Sequence, residues 1–428
     1  MILAVDLGST LLKAAVFDAA LARRGVAAVP LDHQYAPGGH VELDSAEAEA
    51  ACEQAVRGAI ADAGQTPEAI RVVAVTSQAQ TFTVLDRSGS PKTPFISWQD
   101  TRAQEACRRL QEEPRLADFA RHASFAQLLP ALMICQIAHL QANRPGLIVP
   151  DDRLVNLPTY LVEQWTGRAV VDNNLAAMSG LYSLELNDWW PAALEVCRLE
   201  KDRLPDLAPI GSVAAQTGPG ATKFGLPEDI PLVLAGNDQT AGAFGAELHK
   251  TGGLLITLGT AMVAYAVEQE AVAAEAAIIR GPYPGGLHYR MVADGCGYNV
   301  VNWLRDLLPD CQSDADLFAL AAEAQPGCGG LVFEADLPDG KGTWRNLGLH
   351  HGPAQLARSL VESLSRRVAQ MVDQLQVDLS RRTVLAAGGG SRHAVWLKIL
   401  EETLGRPITP TRADPLRGAA LMARRAVE

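Results

Sequence analysis

Metal-binding and disulfide frameworks are the first things this sequence lacks. Its seven cysteines (Cys52, Cys107, Cys135, Cys197, Cys296, Cys311 and Cys328) are scattered, with no CxxC pair. That usage argues against a zinc ribbon or a disulfide-stapled scaffold and makes a reducing cytoplasm the expected setting. The nine histidines show no ligand-like clustering, and the adjacent His350–His351 reads as a surface turn. Basic charge is also short: 37 Lys and Arg against 49 Asp and Glu leave a net charge of −12. An acidic chain is a poor partner for polyanions, so neither nucleic acid nor an anionic membrane surface is expected. A small phosphate ligand stays admissible, because backbone N–H groups can hold it locally. The start, MILAVDLGST, has no basic stretch and meets Asp6 early, unlike a secretion leader. No apolar run suits a membrane. Gly252–Val267 is uncharged but short of the ~20 residues needed. His122–Asn143 carries Gln127, Pro130, Gln136, His139 and Gln141 and reads as a buried helix. GxxxxGK[ST], GxGxxG, GxSxG and HExxH are all missing, which excludes a P-loop NTPase and three other familiar chemistries.

What is present is a globular composition, 48% hydrophobic and 20% charged over 428 residues. At roughly 150 residues per domain, two or three domains are expected. Ile2–Asp6 and Leu11–Phe17, around a glycine-containing turn, predict a β-hairpin. Asp44 and Ser45 can cap a helix running to Ile60, and Gly64 stops it. Ile70–Thr76, Phe82–Leu85 and Pro94–Trp98 read as strands, with a turn at Asp86–Gly89. Residues 145–230, rich in Pro, Asp and Asn, read as loop-heavy. Pro231–Gly236 is a fresh strand, and a domain boundary is placed near 234. A second hairpin follows: Leu254–Leu258, the turn Gly259–Thr260, then Ala261–Val267. It echoes the N-terminus, as two related domains would. Pro353–Leu375 reads as a long amphipathic helix, Val384–Ala387 as a strand, and Ala394–Leu404 as a helix stopped by Gly405. Strands mixed with helices make this an α/β protein.

Six segments could carry chemistry. In Asp6-Leu7-Gly8-Ser9-Thr10, Gly8 allows close approach to a phosphate, Ser9 and Thr10 add donors, and Asp6 could hold a hydrated Mg²⁺. The alternative is an ordinary polar turn. In Gly236-Asn237-Asp238-Gln239, Asp238 follows a buried strand and could accept a proton from a substrate hydroxyl. It could equally cap a helix over Gln239–Leu248. Leu258-Gly259-Thr260 is a second phosphate-turn candidate, without an acid. Gly388-Gly389-Gly390 permits close approach to a flat or anionic ligand, or simply a crowded strand–helix corner. Trp98-Gln99-Asp100-Thr101-Arg102 offers an aromatic face beside hydroxyl-binding charges, against a core tryptophan and a surface ion pair. Ser77-Gln78-Ala79-Gln80-Thr81 offers neutral amides that suit hydroxyl ligands, against a solvated loop.

Taken in order, the segments resemble the FGGY carbohydrate kinases, within the actin, sugar-kinase and heat-shock-chaperone superfamily. AVDLGSTLLKAAVFD resembles the family's first phosphate segment, and GHVELD its lead into the first helix. SPKTPFISWQDTRA resembles its sugar loop, LAGNDQTAGAFGA its catalytic segment, and LITLGTAM its second phosphate segment. LAAGGGSRHAVWLKILEETLG resembles the adenosine segment and ADPLRGAALMA the C-terminal stretch. The resemblance implies two duplicated, ribonuclease H-like domains facing a central cleft, with sugar on 1–234 and ATP on 235–428. It implies Asp238 as catalytic base and Asp6 as the holder of Mg²⁺ through water. Gly8, Ser9, Thr10 and Lys13 would hold the transferring phosphoryl. Gln78, Ala79, Gln80, Trp98, Asp100 and Arg102 would meet the sugar together with Asp238. Gly259, Thr260, Asn302, Gly389, Gly390 and Ala394 would surround ATP. Homodimers are common in that family.

The chain departs from the family in four places, one of them a second signature that survives only partly around Gln355–Glu362. A K-x-W segment is not recognisable in FAQLLPALMICQ, and the chain is shorter than typical members, mainly after residue 263. At Ala79-Gln80, xylulokinases usually carry Met-His and glycerol kinases Arg-Glu. Trp98, Asp100 and Arg102 match the xylulokinase-like pattern, which makes xylulose the leading acceptor, with ribulose, glycerol or erythritol as alternatives. Three other readings stay open: a chaperone-like ATPase switch, a non-catalytic sugar sensor, and an actin-type filament protein. The W-Q-D-T-R segment argues against the first, and Asp6 with Asp238 against the second.

Overall fold

The computed structural model describes residues 1–336 and 341–428. It divides into two units. The first comprises Met1–Gly245, Gln269–Tyr289 and Asp414–Glu428; the second comprises Ala246–Glu268 and Arg290–Ala413.

The first unit is built on a six-stranded sheet. Its order is Val213–Gln216, Pro231–Asn237, Val72–Ser77, Ile2–Leu7, Leu11–Phe17, Arg23–Pro30. Ile2–Leu7 and Leu11–Phe17 form the expected antiparallel hairpin, with Asp6 opposite Lys13. Ile2–Leu7 and Pro231–Asn237 both run parallel to Val72–Ser77. Continuous apolar runs suit such central parallel strands, because both faces are covered. The helix Ser45–Asp62 buries Ala48, Cys52, Ala55, Val56 and Ala59 in one core with Leu12, Ala14 and Val16 of the hairpin. Asp44 caps it, accepting from the N–H groups of Ala46 and Glu47. Helix Pro415–Val427 packs against Asp238–Gly245 so closely that a Cβ on Gly418 would lie 1.7 Å from the Ala241 carbonyl oxygen.

Three local expectations need correction. Residues 145–230 are not loop-heavy throughout: Arg153–Asn156 and Val170–Asp172 are strands, and Leu157–Thr166, Asn173–Ala177 and Pro191–Val196 are helices. Two of their Asn and Asp residues, Asn156 and Asp172, cap helices. Pro158 and Pro191 sit in first turns, where the missing N–H costs nothing. His122–Asn143 is not one helix: His122 closes the short helix Phe119–His122, and the next runs over Met133–Asn143, after the irregular stretch that holds Pro130. Finally, Asp238 does not cap its helix. Asn237 does, its Oδ1 accepting the Thr240 N–H at 2.9 Å, and the helix ends at Gly245.

The second unit repeats the pattern. Met262–Glu268 pairs antiparallel with Leu254–Leu258, which runs parallel to Val384–Ala387, which runs parallel to Ile408–Pro410. Each unit therefore has a hairpin whose first strand is extended by two further parallel strands. The echo between the two glycine turns reflects a duplicated architecture, and the fold is the α/β, two-domain arrangement expected. Pro353–Gln374 buries Leu360, Val361, Leu364, Val368 and Met371 along one stripe. Ala394–Leu404 ends at Gly405, which takes a left-handed φ of +64°.

Candidate functional site

In the first unit the polar residues collect where three parallel strands end. Leu7, Ser77 and Asn237 lie side by side in register. The residues before and after them, Asp6, Gln78 and Asp238, therefore meet at one edge, the usual place for a ligand in a parallel sheet. Local bonds fix the edge: Gln78 N–H donates to the Leu7 carbonyl at 3.0 Å, and the Thr76 hydroxyl donates to the Gly236 carbonyl at 2.8 Å.

Asp6 is 3% exposed. Burial and then the charge of Asp238 push its carboxyl up to about 7, against the pull of Lys13. Lys13 Nζ lies 3.7 Å from Asp6 Oδ2, while Asp6 Oδ1 has no hydrogen-bond partner among the described residues. Burial also raises Asp238, opposed by the Gln239 N–H that donates to its Oδ1 at 2.8 Å. A buried and a half-buried carboxylate with one lysine between their fields are costly to hold and have the charge of a cation site. Gly8 is part of the same turn; a Cβ there would approach the Leu11 carbonyl oxygen to 2.8 Å. Ser9 is half-buried and Thr10 exposed.

The hydroxyl-binding candidates divide into two kinds. Gln78 is 6% exposed, yet neither its Nε2 nor its Oε1 has a partner among the described residues. Ala79 and Gln80 form the bend after it, with Gln80 at φ +72°. Trp98 is 42% exposed, and its indole N–H donates to Ser9 Oγ at 3.1 Å. Asp100 and Arg102 are different: they form an internal brace. Asp100 is fully buried, and Arg102 donates to it from Nε and Nη2 at 2.8 and 2.6 Å. Val41 N–H donates to Asp100 Oδ2 at 2.7 Å, and Arg102 Nη2 also reaches Glu42 at 2.7 Å. These donors hold the Asp100 carboxyl below its ordinary range despite burial.

Two residues of the first unit escaped the sequence reading. Gln136, in the segment that departs from the family, donates from Nε2 to the Asp100 carbonyl at 3.0 Å, while its Oε1 is buried without a partner among the described residues. Asn174 bonds to Asn237 and Thr240 on either side of Asp238. Neither sits in a recognisable motif; a lone amide in a stretch read as buried helix, or in one read as loop, gives no signal.

In the second unit, Gly259-Thr260 and Gly388-Gly389-Gly390 are brought together as the ends of paired parallel strands. Gly388 takes φ +87°, and a Cβ there would come within 2.6 Å of the Leu258 carbonyl oxygen. Gly390 packs under Trp396. The helix Tyr298–Leu307 starts at this corner, its Tyr298 N–H donating to the Gly259 carbonyl at 2.7 Å. Asn302 lies one turn along, where its Oδ1 accepts from Arg305 at 3.3 Å. Ala394 opens the last-named helix of the unit. Tyr298, which no motif marked, faces Gly389, where an added Cβ would lie 3.4 Å from its ring, and its hydroxyl bonds to Asp314 at 2.7 Å and His393 Nε2 at 2.8 Å. The corner is thus a glycine-lined turn with an aromatic wall.

Comparison with known proteins agrees with this fold. A glycerol kinase of Rhizobium rhizogenes is 27% identical over 439 residues, covering 95% of this chain and 86% of that protein. A xylulose kinase of Klebsiella pneumoniae is 25% identical over 374 residues, covering 84% and 76%. The crystal structure of xylulose kinase from Rhodospirillum rubrum shares the fold at a TM-score of 0.89 and 22% identity, covering 100% of this chain and 90% of that one. The N-terminal domain model of the FGGY family of carbohydrate kinases matches residues 1–245 and the C-terminal domain model matches 254–427, so the chain belongs to that family.

Proposed function

We propose that this carbohydrate kinase transfers the γ-phosphoryl group of ATP to a hydroxyl of a small ketose, with D-xylulose as the leading acceptor. The observation that carries the reading is the placement of Asp6 and Asp238 at the ends of the two parallel strands that flank Val72–Ser77, each raised by burial, beside Lys13 and the Gly8–Thr10 turn. Asp238 accepts the proton of the attacking hydroxyl; a base with a raised pKa works closer to neutral pH. Gly8, Ser9, Thr10 and Lys13 hold the transferring phosphoryl. Gly259, Thr260, Asn302, Gly389, Gly390 and Ala394 hold ATP on the second unit, with Tyr298 as an added wall. The unpartnered, buried Asp6 Oδ1 fits a water carried by Mg²⁺, which would neutralise phosphate charge. Positioning and charge neutralisation supply most of the rate in such transfers.

On the sugar side, the exposed face of Trp98 is open to a polyol, and the buried Gln78 amide, without a partner among the described residues, would pair with a hydroxyl. Asp100 and Arg102 support them as a brace. The W-Q-D-T-R pattern favours xylulose, whereas the glycerol kinases among the sequence relatives support glycerol as the second reading. The test is coupled ADP release with Mg·ATP against D- and L-xylulose, D- and L-ribulose, L-fuculose, L-rhamnulose, glycerol and erythritol. A large rise with one acceptor names the substrate. Steady ADP release that no acceptor changes would replace the kinase with an ATPase switch.

A further inference from the structure

The indole of Trp98 spans two segments that the proposed reaction uses separately. Its backbone N–H donates to Thr81 Oγ1 at 3.2 Å, which ties it to the Gln78–Gln80 bend. Thr81 is 1% exposed, so that anchor is rigid. Its indole Nε1–H donates to Ser9 Oγ at 3.1 Å, in the phosphate turn. A serine hydroxyl has one hydrogen and two lone pairs. Once Ser9 Oγ accepts from the indole, its own hydrogen must point elsewhere, and the described residues offer it no acceptor. An anionic oxygen in the turn would be that acceptor. Accepting one hydrogen bond also polarises the O–H for donating another.

We propose that Trp98 is a positioning residue for phosphoryl transfer: its N–H orients the Ser9 hydroxyl toward the phosphoryl group while its ring faces the sugar. This rests on the kinase reading above. Occupation of the ring face then bears directly on the rotamer of a phosphate-binding hydroxyl, so acceptor binding and transfer are linked through one bond.

The experiment compares wild type, Trp98→Phe, Ser9→Ala and the double variant. Trp98→Phe keeps an aromatic face and removes the donor. With the acceptor found by the panel, kcat should fall roughly tenfold in each single variant, the equivalent of one lost hydrogen bond. KM for the acceptor should move less than about threefold in Trp98→Phe, and the double variant should be no slower than Ser9→Ala. A raised KM at unchanged kcat, or losses that multiply in the double variant, would overturn the proposal. An activity-independent readout separates this from failure of the kinase reading. In indole ¹⁵N–¹H spectra, the Trp98 cross-peak is the one absent from Trp98→Phe. It should shift in Ser9→Ala and move when Mg·ATP is added to wild type. A peak indifferent to both overturns the proposal even if a substrate is found; a peak that responds supports the bond even if no acceptor on the panel works.

Discussion

Asn174 Oδ1 accepts two hydrogen bonds from Asn237, one from its backbone N–H at 2.9 Å and one from its side-chain amide at 2.8 Å. Asn174 Nδ2 donates in turn to Thr240 Oγ1 at 3.2 Å and the Pro282 carbonyl at 2.8 Å. One fully buried amide therefore clamps both flanks of Asp238. Asn174→Ala strands two donors of Asn237, at about 1–3 kcal/mol for each buried group left unsatisfied. The expected outcome is a lower denaturation midpoint together with a lower kcat. Urea titration and steady-state kinetics check it; an unchanged kcat in the folded variant would show that Asp238 is held by other contacts.

Asp172 supplies a pH dependence. Burial pushes its carboxyl up from 3.8 to about 6, against N–H groups of Leu175 and Asn174 that favour the charged form. The folded state thus binds this proton more tightly than the unfolded chain. The resulting stabilisation is fully present below the unfolded pKa and is lost as pH rises through the folded one. Between about pH 4 and 6, wild type should lose stability relative to Asp172→Asn, which keeps a capping oxygen. Thermal melts of both proteins across that window check the difference; parallel curves would contradict it.

Two glycines of the second unit's corner, Gly388 and Gly389, should behave differently. Gly388 has a left-handed φ and no room, with the Leu258 carbonyl oxygen 2.6 Å from an added Cβ. Gly389 has only the Tyr298 ring at 3.4 Å, an ordinary contact. Gly388→Ala should therefore cost about 1–3 kcal/mol and weaken ATP binding, while Gly389→Ala leaves stability nearly unchanged. Melting curves and nucleotide titrations distinguish the two, and equal behaviour would contradict the geometry.

Much of this was legible in the residues because the informative parts are local. The Ile2–Phe17 hairpin, the Asp44 cap, the strand Val384–Ala387 and the Gly405 stop all follow from nearest-neighbour chemistry. The sheet edge that gathers Asp6, Gln78 and Asp238 follows from apolar strands that each carry a polar residue at or next to their last position. What stayed hidden depends on contacts distant in sequence. Asn174 is 63 residues from Asn237, and Gln136 is 36 from Asp100. Asp100 and Arg102 read as sugar ligands because their pattern matches one, yet the sequence could not show that Val41 and Gln136 already fill the carboxylate. The Pro- and Asn-rich stretch misled because caps and loops use the same residues.

The most direct test of the account is Asp238→Ala beside wild type, measuring ADP release with the acceptor identified and ATP affinity in parallel. Removing a general base costs about 10²–10⁴-fold in rate. The account predicts a loss of that size with ATP binding largely intact. Wild-type turnover in Asp238→Ala would contradict it and take the proton-accepting role away from Asp238.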